Sequence, residues 1–492
     1  MQKFLFIIFL ISIIGCKEDS QSPLLSIPNN GYETKEVADI ISKNCATSGC
    51  HTGNNPVHAL SFDTYELMKK GSIGRGLDDS INHGHNSFEK ISHGDEPYGG
   101  EAAIPFHPEE SLMFRLINGT VDEPLYSMPY LRQKISNNDI ETIRQWILNG
   151  AKNNSGEVLY KSNQNSVYVA NQGGDKISVI DPELKLVTGI INLNFIPNFI
   201  EAPHNIQIRD DYVYVSLIAS GRFLKINRAT NEVVSSVDNL VYPGMILISQ
   251  NGEIAYVSKS STAVGSYQDI YKINTLSMTL VDTILIPISG IPHAIAISND
   301  GLTLFVANLT RDRIYFIDTE TKEIRQSITL SNGTTSEFAP MHIYLNPDGK
   351  ELIVSCMNKD VVLIIDTETG TIKQSIPVAS HPMQMALSSA GNKLYVTSMH
   401  EPKITILNKN GGNWSVTGVI EHKAFVMLYG VDLSIDDKYL YVTSSNQING
   451  YKPRYKIQGM NRASNVCVIE TQSNEVVKII DVDSYATGIT AR

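Results

Sequence analysis

The stretch "PHAIAISNDGLTLFVANLTRDRIYFIDTETKEIRQSI", residues 292–328, decides the fold of this chain. Its apolar residues recur with a period of two in short runs, which is the spacing of half-buried β-strands and not of helices. The sequence "SNDGL" supplies a polar, glycine-containing turn between two such runs. The stretch therefore predicts a unit of about four short strands.

One strand of this unit recurs seven times along the chain. The copies begin at Val167, Val213, Ala255, Leu304, Leu352, Leu394 and Leu440. Each copy is followed by a second strand and a polar turn residue. The turn residues are Asp181, Asn227, Asn274, Asp318, Asp366, Asn408 and Glu470, which lie 42 to 62 residues apart. A period of this length with about four strands per unit indicates an all-β, seven-bladed propeller.

The two ends of the repeat region complement each other. The strand at Val167 lacks the inner strand that precedes the other copies, whereas "SYATGITAR", residues 484–492, looks like an inner strand with nothing after it. We predict that the C-terminus completes the first blade, because this pairing closes the ring and removes two exposed strand edges.

The repeats resemble the YVTN family of seven-bladed propellers. The resemblance is carried by "SVYVANQGGDKISVIDPELKLVTGIINL", residues 166–193, and by the stretch at residues 292–328. It covers about two-thirds of the chain and implies that residues 156–492 form the propeller. The family hosts no single activity, so the resemblance leaves the function open.

Composition limits the possible partners. The chain has 492 residues, 42% of them hydrophobic and 18% charged, so we expect a folded protein with more than one domain. The formal net charge of −11 argues against nucleic acid as a partner.

The N-terminus has the pattern of an export signal. Lys3 precedes the apolar run at residues 4–14, which is too short for an ordinary transmembrane helix, and Gly15 and Cys16 follow. The end of this run resembles a bacterial lipobox, which implies a signal peptide over residues 1–15, acylation of Cys16 and a membrane-anchored outer-membrane lipoprotein that faces the periplasm or the cell surface. Residues 16–30 would be a flexible tether. A plain signal peptide is the alternative.

Residues 31–153 have helical periodicity and long loops instead of short strands. The predicted helices start at Thr34, Pro108 and Ser136, and the last two end at Gly119 and Gly150. A segment of this size with few helices and much loop lacks the residues for a core of its own. We therefore expect a bound group to complete it.

The stretch "NCATSGCHTG", residues 44–53, suggests what that group is. Covalent haem is held by two cysteine thioethers, and the histidine after the second cysteine ligates the iron. Cys45, Cys50 and His51 match this order, but four residues separate the cysteines instead of two. Gly49 would let the longer spacer bulge outward. Zinc binding and a disulfide remain open as alternatives.

A second axial ligand is expected from elsewhere in residues 31–153. Met128 is the preferred candidate, since it precedes Pro129 in a loop just before the helix that starts at Ser136. The other candidates are Met113, His58, His83, His85, His93 and His107.

The segment resembles a cytochrome c domain found in Bacteroidetes and Planctomycetes. The matching pieces are "CATSGCHTG", "SFDTYELMKKG", "HPEESLMFRLING", "YSMPYL" and "IRQWILNGAK". The resemblance implies a small all-α domain with one covalent haem c, whose iron is ligated by His51 and Met128. It also implies a redox partner protein or a small redox molecule.

Three histidines fall at the starts of predicted inner strands. His204, His293 and His342 each follow a proline there, either directly or after one methionine. Inner strands line the channel of a propeller, so these side chains could gather at one end of it. Two interpretations stay open, a metal or second haem site and an ordinary strand start that is typical of the repeats.

The sequence as a whole predicts an electron carrier whose propeller serves as a partner- or ligand-binding platform. One alternative is a propeller oxidoreductase that uses the cytochrome as its electron relay. Another is a surface binding or adhesion propeller with an N-terminal domain that holds no haem.

Overall fold

The computed structural model describes residues 30–72, 99–121, 127–161, 165–260, 269–287, 289–332, 336–448, 450–451, 453 and 463–491. The predicted signal peptide, the acylated Cys16 and nearly all of the tether lie outside these residues. The ligand candidates His83, His85 and His93 also lie outside them.

The larger part of the chain forms seven antiparallel sheets of four strands each. The strands are β1 Val167–Asn171, β2 Lys176–Asp181, β3 Leu186–Asn192, β4 Pro203–Arg209, β5 Tyr212–Leu217, β6 Arg222–Asn227, β7 Glu232–Val237, β8 Pro243–Ile248, β9 Ile254–Lys259, β10 Asp269–Asn274, β11 Thr279–Leu285, β12 Pro292–Ile297, β13 Thr303–Asn308, β14 Arg313–Asp318, β15 Ile324–Thr329, β16 Pro340–Leu345, β17 Glu351–Cys356, β18 Val361–Asp366, β19 Ile372–Pro377, β20 Pro382–Leu387, β21 Lys393–Ser398, β22 Ile404–Asn410, β23 Asn413–Ile420, β24 Leu428–Leu433, β25 Tyr439–Ser444, β26 Ala463–Glu470, β27 Glu475–Ser484 and β28 Ala486–Thr490. Blade 1 is β28-β1-β2-β3, and each later blade takes the next four strands in order. This confirms the seven-bladed propeller.

The recurrent strand that defined the repeat is the second strand of every blade, counted from the channel. The turn predicted at Asn408 is misplaced. Strand β22 continues to Asn410, and Asn410 pairs with Asn413 across a two-residue turn. The turn falls there because Gly411 and Gly412 take positive φ values of 56° and 89°, as such hairpin turns require.

The ring closes as predicted. The C-terminal strand β28 lies innermost in blade 1 and pairs with β1, with Thr490 opposite Tyr168 and Ile489 opposite Val169. The inner strand of blade 1 therefore comes from the end of the chain and its other strands from residues 167–192, so pairing across the ring protects both edges.

The described residues before the propeller form four α-helices, α1 Lys35–Asn44, α2 Tyr65–Lys69, α3 Leu112–Asn118 and α4 Asn137–Leu148. The predicted caps are present at two of them. The hydroxyl of Thr34 accepts from the Val37 N–H, and that of Ser136 accepts from the Asp139 N–H. None of the helices in the described ranges is long and apolar enough to span a membrane.

The helix predicted to start at Pro108 is wrong in its start. Residues Pro108–Glu110 form a single 3₁₀ turn, and α3 begins four residues after that proline. The break occurs at Ser111, whose hydroxyl accepts from the Ile104 N–H and donates to the His107 carbonyl, 2.8 Å in each case. These bonds hold Ser111 in an extended conformation that a continuous helix does not allow.

The helices pack around an apolar cluster of their own. At its centre, Tyr32 makes edge-to-face contacts with Tyr65 and Trp146, at ring-centroid distances of 5.8 and 5.9 Å. The prediction that this segment lacks the residues for a core of its own is therefore wrong for its described residues. A few large aromatic side chains fill a core that the small number of helices did not suggest.

Candidate functional site

The two N-terminal cysteines stand at the ends of a compact loop. The N–H of Cys45, where α1 ends, donates to the Ile41 carbonyl at 2.8 Å. The N–H of Cys50 donates to the Thr47 carbonyl, and the N–H of His51 donates to the Cys45 carbonyl at 3.3 Å. Gly49 takes a φ of 78° within this loop. The long spacer is thus folded into a turn, which brings the backbone of His51 back to that of Cys45.

Both thiols are unbridged and partly buried. Burial, and secondarily the neighbouring Cys50, raises the pKa of the Cys45 thiol to about 12. Zinc requires the thiolate form of cysteine, which this environment disfavours. Among the described residues, no group of three His, Cys, Asp or Glu side chains could hold a metal ion. The zinc alternative therefore gains no support, and neither cysteine forms a disulfide in this structure.

The imidazole of His51 is oriented by backbone carbonyls. Its Nδ1 lies 3.1 Å from the Leu60 carbonyl and 3.2 Å from that of Val57, so this nitrogen carries the proton and donates. Burial lowers the pKa of His51 below its ordinary value, which favours the neutral ring. The edge of the ring packs against Phe62. Nε2 is then left with a lone pair for a metal, the arrangement usual for ligating histidines.

Met128 lies beside the same apolar cluster as Cys45. Its N–H donates to the Leu116 carbonyl at 2.9 Å. This bond holds the loop from Met128 to Arg132, called the methionine loop, at the end of α3. Farther along this loop, Arg132 donates to the hydroxyl of Thr47, inside the cysteine spacer, at 3.0 Å. The fold therefore brings the methionine loop next to the cysteine loop, although 78 residues separate Cys50 from Met128 in sequence.

The other described ligand candidates are placed differently. Met113 is buried inside the apolar cluster of the helical segment. His58 lies close enough to His51 for its charge to disfavour protonation of the His51 ring. His107 lies in the seam with the propeller, facing the Ile190 carbonyl, Glu110 and Lys176, and burial lowers its pKa.

The three channel histidines differ in their contacts. His204 and His293 face each other with ring centroids 6.2 Å apart, and His204 also meets Tyr429 at 6.0 Å. His342 is turned aside, because its Nδ1 accepts from the Met385 N–H of the next blade. His342 nevertheless lies close enough to His293 for the charge of His293 to lower its pKa, after burial as the main cause. Whether the three histidines serve as one site stays a prediction.

A repeated bulge explains why these side chains reach the channel. Near its start, every inner strand shifts register against its neighbour, as between Pro203 and Asn205 or between Pro292 and Ala294. A bulge leaves one residue unpaired and re-aims its side chain. His204 and His293 were predicted from the sequence as candidate site residues, whereas Met341, Met383 and Tyr429, which occupy the same strand position, were not. The signal was the second residue of each inner strand.

A cavity of about 550 Å³ lies elsewhere, between α3 and α4. Its lining includes Arg115, Asn118 and Arg144. It contains none of the predicted site residues.

Comparison with known proteins establishes the fold only. No protein-family model matches the chain, and no curated protein matches it. Among solved structures, a protein of unknown function from Desulfotomaculum acetoxidans is 17% identical with a TM-score of 0.53, over 66% of this chain and 98% of that one. The periplasmic gluconolactonase of Pseudomonas aeruginosa is 15% identical with a TM-score of 0.52, over 66% and 98%. A Lactobacillus plantarum protein is 14% identical with a TM-score of 0.50, over 66% and 99%. At such identities the likeness extends to the propeller and not to any activity.

Proposed function

We propose that this chain is an exported, lipid-anchored c-type cytochrome that transfers single electrons, with the propeller as a platform for its redox partner. The observation that carries the proposal is the cysteine loop, where the N–H of His51 bonds back to the Cys45 carbonyl while its ring offers Nε2. A haem attached to Cys45 and Cys50 supplies one-electron chemistry between ferric and ferrous iron.

The residues around this loop fit such a group. The partly buried, unbridged thiols of Cys45 and Cys50 would form the thioether bonds, and the imidazole of His51, held by two carbonyls at Nδ1, would ligate the iron. Met128, held beside the loop through Arg132 and Thr47, is the distal ligand in this proposal. Phe62 packs against the His51 ring, and the apolar cluster packs against Cys45 and Met128.

Export and anchoring belong to the same proposal. They rest on the sequence alone, through Lys3, the apolar run at residues 4–14 and Cys16. They would place the protein at the outer membrane, facing the periplasm or the cell surface, where its partner is a redox protein or a small redox molecule and not nucleic acid.

The test is a pyridine haemochrome assay on the full chain matured by a c-haem assembly system. One covalent haem per chain is expected. The single variants C45S and C50S should each give the shifted band of a haem with one thioether, and the double variant should lose covalent haem.

Met128 is tested in the same preparation. M128L should keep the covalent haem and lose the charge-transfer band of methionine-ligated ferric iron. M113L is the matched control, since Met113 is buried in the same cluster, and it should retain that band. Wild-type protein without covalent haem would refute the proposal and favour the adhesion alternative. A second haem in the propeller would favour the oxidoreductase.

A further inference from the structure

A ring of soft donor side chains closes one end of the propeller channel. His204, His293, Met341, Met383 and Tyr429 all follow the first residue of their inner strands and are all at most 6% exposed. The two imidazoles face each other at 6.2 Å, and Tyr429 joins His204 to a buried cluster that contains both methionines.

The two imidazoles are oriented as metal ligands. Nδ1 of His204 lies 3.2 Å from Gln172 Oε1, and Nδ1 of His293 lies 2.9 Å from the Met341 carbonyl. An oxygen acceptor at Nδ1 fixes the proton there and leaves the lone pair on Nε2. In the described part of the chain, Nε2 of His204 is buried without a hydrogen-bond partner. A buried polar atom with no partner is costly, so it points to a ligand.

Blade 3, which lies between the blades of His204 and His293, does not block the contact between the two rings. Blade 3 places Gly244 at the equivalent strand position, where it adds no side chain to the ring. A Cβ at Gly244 would collide with the hydroxyl of Ser260. Glycine is therefore required by packing, and it keeps the space between His204 and His293 free of a third side chain from this position.

The other donors are thioethers. Met341 and Met383 are buried in the ring, and Met357 and Met399 pack against them from the loops above. Thioethers are soft ligands that select Cu(I). The thiolates and carboxylates that hold Zn²⁺ are not grouped here, since the described residues contain no cluster of three His, Cys, Asp or Glu suited to a metal. A neutral, buried donor set also suits a monovalent ion better than a divalent one.

His342 provides an internal comparison. It lies one position later on its strand, where its Nδ1 accepts from the Met385 N–H at 3.3 Å. Asn205 has the same role in blade 2, since its Oδ1 accepts from the Ile246 N–H of blade 3 at 3.0 Å. His342 therefore links neighbouring blades and is not part of the donor ring.

We propose that this channel end binds one cuprous ion through His204, His293, Met341 and Met383. The site belongs to the propeller alone, so it stands or falls independently of the haem.

The test uses the full chain with Cys16, Cys45 and Cys50 replaced by serine, which removes three of its five thiols. The other two, Cys356 and Cys467, are fully buried. Cu⁺ is supplied anaerobically as its bicinchoninate complex, and the transfer of copper to protein is measured by the loss of the complex's colour. One equivalent should be taken up. X-ray absorption at the copper edge should show both nitrogen and sulfur neighbours.

Two variants and one control complete the design. M341L/M383L, which nearly conserves side-chain volume, and H204Q/H293Q should each weaken binding at least tenfold. H342N, which copies the arrangement of Asn205, should bind as before. Thermal unfolding of each metal-free variant verifies that it is folded. The proposal is overturned if the serine-substituted chain takes up no Cu⁺, or if M341L/M383L binds it undiminished.

Discussion

At the scale of single residues, His204 and His293 are unusual because they are histidines buried inside a protein core. Burial, with His293 as a nearby second cause, lowers the pKa of His204 and that of His342 to about 3. Burial lowers the pKa of His293 to about 4, and the hydrogen bond to the Met341 carbonyl, which raises the pKa, offsets only part of this effect. All three start from an ordinary value of 6.5.

These shifts predict a loss of stability in mild acid. Above pH 6.5 both the folded and the unfolded chains hold neutral rings, so stability is complete. Below that pH the unfolded chain binds protons that the folded chain does not, so the free energy of unfolding falls. The contribution of His293 ends near pH 4, and those of His204 and His342 continue to about pH 3. Each pKa unit of difference corresponds to about 1.4 kcal/mol. Urea unfolding of metal-free protein across this range measures the slope.

The variant H204Q/H293Q should flatten this pH dependence, because two of the three groups no longer titrate. M341L/M383L, a double change in the same ring that removes no titrating group, should leave the slope as in the wild type. Carboxylates titrate in the same range, so the comparison between these two variants carries the result. Equal slopes in both would contradict the prediction.

At the scale of elements, a repeated aspartate ties each of three hairpins to the start of the next inner strand. Asp175, Asp312 and Asp360 take positive φ values of 49°, 48° and 55° between the second and third strands of their blades. Their carboxylates accept backbone N–H groups just before the following inner strand. This bond holds the strand start, and hence the bulge that turns side chains into the channel.

Asp312 makes the most such bonds of the three that are described. It is fully buried and accepts from the N–H groups of Glu337, Phe338 and Ala339 and from the hydroxyl of Ser331, at 2.7 to 3.0 Å. D312A would leave buried donors unsatisfied and should lower the free energy of unfolding by at least about 2 kcal/mol. Urea unfolding checks it. D300A, in an exposed turn, should lower the free energy of unfolding by less than about 1 kcal/mol. A similar loss in both variants would show that the hydrogen bonds of Asp312 do not stabilise the fold.

At the scale of the whole molecule, the helical segment docks where the ring closes. Ile104 is buried among side chains of blades 1 and 7, including Val169 and Val482. Glu101 accepts from the Val187 N–H at 3.2 Å, and the ammonium of Lys176 lies 3.1 Å from both Glu110 and Asp483. The helical segment thus covers the seam between blades 7 and 1, where the first and last strands of the propeller meet.

This arrangement predicts that I104A uncouples the two parts. Deleting a buried isoleucine side chain costs about 2–5 kcal/mol. The chain has two tryptophans, Trp146 in α4 and Trp414 in the propeller, so a W414F background reports the helical segment alone. In that background, I104A should unfold at lower urea than its parent. I196A, at a residue 42% exposed, should change little. Equal midpoints for I104A and I196A would show that Ile104 does not hold the seam.

Local signals in the sequence were sufficient for the propeller. Period-two runs, turn residues and a missing first strand predict the seven blades and their closure, because β-strand pairing between neighbours in sequence is governed by local pattern. The caps at Thr34 and Ser136 were likewise readable, since each depends on a hydroxyl and an N–H three residues apart.

The sequence by itself therefore determined the repeat, the number of blades, the closing strand and the order of Cys45, Cys50 and His51. Only the tertiary structure decided which distant side chains meet. It placed Met128 beside the cysteine loop, paired His204 with His293, packed Met341 and Met383 with Tyr429, and bonded His342 to the neighbouring blade. The physical reason is that strand bulges and the packing between blades set the direction of each side chain, and neither can be read from local periodicity.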